Sequence, residues 1–533
     1  TPYYYRVVDG SWSAKNPDQY TLEQVGPSGT DYISQSEITR YNDNTFYLDT
    51  RLNYNRRFGD HNVGAMLMYM MREYRSDVLP NRNQGISGRI TYDYQEKYLA
   101  EVNFGYNGTE RLAKGHRFEF FPAASLGWVV SSEKFWKPIE KYISFMKLRG
   151  SYGLVGSDET GESAGAAHFL YRNQVALGGS AAFNTGNTLL NSISKSGPGF
   201  NSYAVESAHW ERAKELDLGI DMNVLDQISI VFDYFHNKRD RILLRRGSWP
   251  KIMGYWNATP WSNIGKVDNK GFELSINWKK NLTKDFRVDI RGNLTYNKNK
   301  FVCVDDPVYP YVWQTTTGKP LSRLTGYIAE GLFKDQQDIE LSPDQTALGS
   351  TPKPGDIKYR DVNGDGKITS EDKVMVSPYG STPRLQYGIG ISFDWKKIDF
   401  GVFFNGSAKR SIMINGLNPF NTQEGHGNRN VMQWIADNYW SESNPNPNAK
   451  YPRLGLTQSD ISNNDQPSTY WMRSGNFIRW KSLEIGYKFP HCRVYFSGDN
   501  LAVWSPFKLW DPEIWWNTYP LQRTLNIGIQ IKF

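Results

Sequence analysis

The chain has 533 residues, a formal net charge of +7, two cysteines and 78 aromatic residues (27 Phe, 33 Tyr, 18 Trp). Mean hydropathy is −0.61, and the absence of any run of about 18 apolar residues rules out a helical membrane protein. A hydrophobic content of 39% excludes a disordered chain, two cysteines exclude a disulfide scaffold or a Cys-based zinc site, and interspersed charges leave no basic stripe for nucleic acid.

Apolar and polar residues alternate with period two. In chain order this predicts strands near 45–58, 62–75, 86–96, 98–110, 118–130, 144–155, 215–224, 228–238, 271–279, 286–297, 384–395, 398–405, 477–489, 492–502 and 524–533. Within 215–224, Leu216, Leu218, Ile220, Met222 and Val224 share one face, and Glu215, Asp217 and Asp221 the other. The last segment sets Leu525, Ile527, Ile529, Ile531 and Phe533 against Thr524, Asn526, Gln530 and Lys532. A slip of parity between Trp480 and Leu483 predicts a bulge, and Lys134–Lys141 reads as one helical turn.

Strands of about 10 residues with one apolar and one charged face fit a transmembrane β-barrel, although a large soluble antiparallel sheet also alternates. Loop length separates the two readings. Connections are short at Gly59–His61, Gln95–Lys97, Leu225–Gln227, Asn281–Lys284, Lys396–Lys397 and Pro490–His491, and long at 157–212, 241–267, 301–382 and 411–475. Short turns on one side and long loops on the other belong to an outer-membrane barrel. The expected fold is therefore all-β, a transmembrane antiparallel β-barrel in a lipid bilayer. Fifteen strands is an odd number, and an open set leaves unpaired backbone groups in lipid. The expectation is that residues 1–533 form the C-terminal part of a barrel whose other strands lie upstream; a hairpin inside 160–212 would change the count.

The longest loop, 301–382, contains an EF-hand-like pattern at 361–372. Asp361, Asn363 and Asp365 occupy its first three ligand positions and Gly366 its sharp turn. Lys367 offers a backbone carbonyl, Thr369 stands at the water-bridged position, and Asp372 closes the loop. Oxygen donors at this spacing suit Ca²⁺ in a structural role. Asp372 replaces the usual Glu, and the shorter carboxylate binds more weakly. An Asx-rich turn without an ion is the alternative.

No HExxH, P-loop or GxSxG motif occurs, and His116, His168, His209 and His426 lack metal spacing, so no enzyme is expected. Cys303 and Cys492 are predicted at opposite ends of the wall, beyond disulfide reach. Aromatic residues crowd the external loops, Trp249, Tyr255, Trp256, Trp313, Trp434, Trp440, Trp515 and Trp516 among them. Interface girdles and loop packing account for most of them, sugar stacking for the rest.

Several motifs follow one another over nearly the whole chain. They are Trp210-Glu211 before the Leu-x-Leu-Gly-Ile-Asp strand at 216–221, Pro354-Gly355-Asp356-Ile357-Lys358-Tyr359-Arg360 running into the 361–372 loop, Ser497-Gly498-Asp499-Asn500-Leu501, Asp511-Pro512-Glu513, Tyr519-Pro520-Leu521 and a terminal Phe533. Together they resemble the SusC/RagA family of TonB-dependent outer-membrane transporters of Bacteroidetes. The resemblance implies a plugged barrel of about 22 strands, of which this chain would supply about 15. It implies an N-terminal plug, a TonB box for the TonB complex and a SusD-like lipoprotein on the external face; these residues contain neither plug nor TonB box. The implied activity is nutrient import, with oligosaccharide as expected cargo and oligopeptide as the alternative. A passive porin-type barrel and an outer-membrane enzyme are the competing classes.

Overall fold

The computed structural model describes residues 5–8, 19–24, 43–75, 80–160, 168–185, 193–250, 252, 260–415, 433–455, 458–514 and 519–531. Tyr255, Trp256, His426, Trp515, Trp516 and Phe533, with the side chain of Trp434, lie outside the described residues. Contacts divide the chain into two compact units, Thr1–Leu48 with Arg72–Arg82, and Asp49–Met71 with Asn83–Phe533. In the first, Tyr5–Val7 pairs antiparallel with Leu22–Gln24.

The dominant element is one fifteen-stranded sheet. Its strands are β1 (Asn44–Phe58), β2 (His61–Arg75), β3 (Asn81–Tyr94), β4 (Tyr98–Thr109), β5 (Phe118–Val129), β6 (Ile143–Ser157), β7 (Glu211–Val224) and β8 (Ile228–Arg245). They continue with β9 (Trp261–Thr283), β10 (Phe286–Cys303), β11 (Leu385–Trp395), β12 (Ile398–Ala408), β13 (Phe477–Lys488), β14 (Cys492–Trp504) and β15 (Thr524–Ile531). Each strand is bonded to its neighbours in sequence, an up-and-down order from β1 to β15. These are the fifteen segments that alternation predicts, one for one. A hairpin does occur inside 160–212, Gln174–Thr185 with Ile193–Ser202, but it forms a sheet of its own and leaves the count unchanged.

Side chains divide between the faces as the alternation requires. Leu126, Ile527 and Ile529 are 70%, 79% and 64% exposed, which only an apolar solvent makes favourable along a whole row of strands. The opposite face carries cross-strand ion pairs. Arg149 on β6 reaches Asp217 and Asp221 on β7 at 3.2 and 3.3 Å and, across β7, Asp233 on β8 at 2.5 Å. Gly219 stands between Arg149 and Asp233 in the register. A Cβ at Gly219 would collide with both side chains, so the missing side chain lets the pair close over the strand.

Tight turns close the short ends. Leu225 and Asp226 both take φ near +54°, and Gly59 takes +61°, the left-handed geometry that suits a two-residue hairpin turn to strand twist. The register shifts between Trp480 and Ser482, which is the predicted bulge, and Lys481 reaches Asn500 Oδ1 at 2.9 Å. The predicted helical turn at Lys134–Lys141 is present, starting as a 3₁₀ turn at Lys134–Trp136 and continuing through a bond from the Glu140 N–H to the Trp136 carbonyl at 3.1 Å, and a further 3₁₀ turn at Val130–Ser132 precedes it. Pro138 lacks the N–H that an α-turn starting at Lys134 needs. Cys303 ends β10 and Cys492 begins β14, and both thiols are free.

Three strands, β8, β9 and β10, outrun their predicted lengths by six residues or more. β9 covers 23 residues where alternation marks only 271–279, so the loop read as 241–267 contracts to 246–260. At about 3.3 Å per residue this strand reaches about 75 Å, well beyond an apolar band about 25 Å tall even when tilted 45°. Above that band water wets both faces and side chains stop alternating. The ladder nevertheless continues through Lys238↔Asp268 and Asn269↔Asn299.

Candidate functional site in the external loops

The connections opposite the tight turns are long, and three of them share one interior. Tyr327, Ile357, Tyr359 and Ile368 of the β10–β11 loop pack with Ile412, Ile414, Trp440 and Trp471 of the β12–β13 loop and with Phe507 of the β14–β15 loop. Residues 354–360 show how local sequence builds this core. Gly355 takes φ +84° and leaves no room for a Cβ against the Trp440 ring. Ile357 and Tyr359 point inward and are 0% and 1% exposed. Lys358 and Arg360 point outward to Asp338 and Glu330 at 2.9 and 2.8 Å.

The short strand Ile357–Tyr359 is finished by side-chain amides, Gln345 from its own loop and Asn463 and Asn464 from the β12–β13 loop. Asn464 Oδ1 accepts from the Ile357 N–H (2.8 Å), and Asn464 donates to Asp356 Oδ1 (2.8 Å). Gln345 Oε1 accepts from the Tyr359 N–H (2.7 Å), while Gln345 Nε2 donates to the Ile357 carbonyl and to Asn463 Oδ1, both at 3.0 Å. Asp356 is fully buried, and its carboxylate meets Arg453 Nε at 2.6 Å. Burial raises the Asp356 pKa above the ordinary value, with Arg453 opposing the rise. Burial, with the nearby Asp372 charge, pushes the Tyr327 hydroxyl up to about 12.

The 361–372 turn leans on this core through Ile368, which is 0% exposed. Asp361 accepts from the Gly364 and Gly366 N–H groups at 2.7 and 2.8 Å. Asn363 Oδ1 accepts from the Asp365 N–H (3.1 Å) and Asp365 Oδ1 from the Lys367 N–H (2.8 Å). Thr369 accepts from the Glu371 N–H, and buried Asp372 accepts from the Val362, Asn363 and Thr369 N–H groups. Gly364 and Gly366 are left-handed, at φ +78° and +81°. The six sequence-predicted residues thus lie along one turn, and the side-chain oxygens of Asp361, Asn363, Asp365, Thr369 and Asp372 face its own backbone donors. Among the described residues no three His, Cys, Asp or Glu side chains converge as a metal cluster. Each carboxylate oxygen that accepts one N–H keeps a further lone pair.

The loop aromatics divide in the same way. Trp440 is buried, Tyr311 and Trp313 stack on each other at 4.6 Å, and Trp249 lies under Arg246 at 5.6 Å. Sequence reasoning missed Arg453, Asn463, Asn464 and Gln345. Their partners lie up to 118 residues away, and no local spacing marks such a contact. Asp511 and Glu513, noted only as a motif, are the partners of Arg479 at 2.5 and 2.8 Å.

The family model described as TonB dependent receptor-like, beta-barrel matches residues 2–501. TonB-dependent receptor P26 of Formosa agariphila is 26% identical over 482 residues, covering 84% of this chain and 46% of that protein. SusC of Bacteroides thetaiotaomicron is 26% identical over 490 residues, 87% of this chain and 45% of its own length. Among solved structures, the RagAB peptide importer in its closed-closed state superimposes with a TM-score of 0.68 at 16% identity, covering 92% of this chain and 56% of that one. The chain spans about half the length of the curated relatives it matches. Fifteen antiparallel strands with a lipid-facing apolar side, the matching family model and these likenesses agree: the chain belongs to the TonB-dependent receptor-like β-barrel family of the outer membrane, as a SusC/RagA-like member.

Proposed function

We propose that this chain is the C-terminal barrel portion of a nutrient importer that takes up oligosaccharides with a SusD-like surface lipoprotein and TonB-derived energy. The observation that carries the reading is the fused loop assembly at the strand ends opposite the tight turns, a preformed surface on which a lipoprotein lid can seat. The ionic inner face, exemplified by Arg149 with its three carboxylates, offers a polar path for cargo. The aromatic side chains of the external loops, Tyr311 stacked on Trp313 among them, support a glycan cargo. Oligopeptide is the second reading, favoured by the likeness to a structure titled as a peptide importer. The test is uptake of labelled glycans and peptides by cells with and without the gene, each with and without TonB. Uptake that ignores TonB points to a passive pore and overturns the proposal.

The 361–372 turn is proposed to hold a structural Ca²⁺ through Asp361, Asn363, Asp365, the Lys367 carbonyl, a water on Thr369, and Asp372. The spacing and the two left-handed glycines support this. A bound ion would cross-link the turn and so fix the 304–384 loop.

A further inference from the structure

A second feature of the loop assembly has no structural partner. A cavity of about 340 Å³ opens between segments 449–451, 470–473 and 506–509, near the lower end of the range for ligand sites. Its lining includes Lys450, Arg473 and Lys508 and no carboxylate, with rings from Tyr451, Tyr470 and Phe507. Arg453 is neutralised by Asp356 and Arg479 by Asp511 and Glu513, and Arg410, which donates to the Ser381 and Pro512 carbonyls, does not line the cavity. Arg473 is different. One guanidinium nitrogen donates to the Tyr470 and Met472 carbonyls at 2.6 and 3.0 Å. Among the described residues no carboxylate stands within ion-pair distance of Arg473, Lys450 or Lys508. Burial lowers the Arg473 pKa, as expected of a cation drawn from water without a counter-charge. The Tyr470 hydroxyl is already engaged with the Ala449 carbonyl at 3.1 Å, so its ring is the part offered to the cavity.

We propose that this cavity is a subsite for an acidic sugar, the carboxylate- or sulfate-bearing unit of an oligosaccharide, held by Arg473, Lys450 and Lys508 beside the Tyr470 and Phe507 rings. A guanidinium fork matches a planar carboxylate, and flat rings match the apolar face of a sugar. The polar lining is cationic side chain, not the row of donors and acceptors with which a strand edge reads a peptide backbone. This inference rests on the glycan-import reading and narrows its cargo.

The test uses the full-length protein purified in detergent, titrated calorimetrically with trigalacturonate, maltotriose and triglutamate. Trigalacturonate is expected to bind at least about tenfold more tightly than maltotriose, and less tightly as salt rises. Lys450 and Lys508 are exposed, so Lys450→Gln with Lys508→Gln leaves folding intact and is expected to remove about tenfold of the affinity. Arg473→Gln is expected to abolish the acidic preference. Equal affinity for the two sugars, an unchanged double variant, or tighter binding of triglutamate overturns the subsite. Cellular glycan uptake that persists alongside any of those results leaves the importer standing. Acidic-sugar binding without uptake of any glycan removes the importer and leaves the subsite.

Discussion

Replacing Arg453 by Met strands the Asp356 carboxylate in the loop core. The arginine side chain is 10% exposed and the aspartate 0%, so water cannot replace the lost partner. Asp356 keeps its bonds from Asn464 and the Lys353 N–H at 2.8 and 2.9 Å, but no cation. Removing one member of a buried pair costs about 3–5 kcal/mol. At about 1.4 kcal/mol per decade this is roughly a 150-fold to several-thousandfold rise in local opening. Amide hydrogen exchange read by mass spectrometry should show that rise over 353–360 and 461–472, with β6–β10 unaffected. The Asp356 pKa, already raised by burial, rises further without Arg453. A raised carboxyl contributes stability below its unfolded value and loses it as pH climbs through the folded value, so the defect should be larger at pH 8 than at pH 5. Arg453→Met with Asp356→Asn removes both charges and should recover part of the loss. Exchange unchanged in the single variant, or no recovery in the double, would refute the reasoning.

Three further outcomes are expected. Converting Asp361 and Asp365 to Ala should speed protease cleavage within 355–376, and a chelator should do the same to the parent protein; identical digestion with and without chelator speaks against the ion. Leu126→Arg places a cation on a lipid-facing side chain that is 70% exposed; it should destabilise the assembled barrel by about 2–4 kcal/mol near the bilayer midplane, seen as a lower urea midpoint in refolding. Asp344 is held below 3.8 by the Thr346 N–H and hydroxyl, and Asp460 by Lys353 then Arg453. Their contribution is present above about pH 3.8 and lost as pH falls through the lower folded values, so loop protease resistance should persist at pH 5 and decline only below pH 4.

The strands were legible because a bilayer imposes one rule on every segment, apolar outward and polar inward, and Leu216 to Val224 obeys it without exception. Where that rule lapses, as at Asp268-Asn269-Lys270 above the lipid, sequence stopped marking a strand that backbone pairing carries onward. The 361–372 turn was visible because the bonds accepted by the side chains at its ligand positions are local, none spanning more than ten residues. The loop core was not. Asp356 with Arg453, and Gln345 with Asn463, meet only after some hundred residues of chain have folded back. The motif at 354–360 announced that something constrained it without saying what.

Because three connections are soldered into one interior, none of them can swing as an independent finger. Any displacement of one segment would hinge at the stems where these segments leave the wall and carry the whole block at once. Such a block trades conformational variety for an all-or-none response, and an insertion tolerated in one segment would have to be accommodated by the other two.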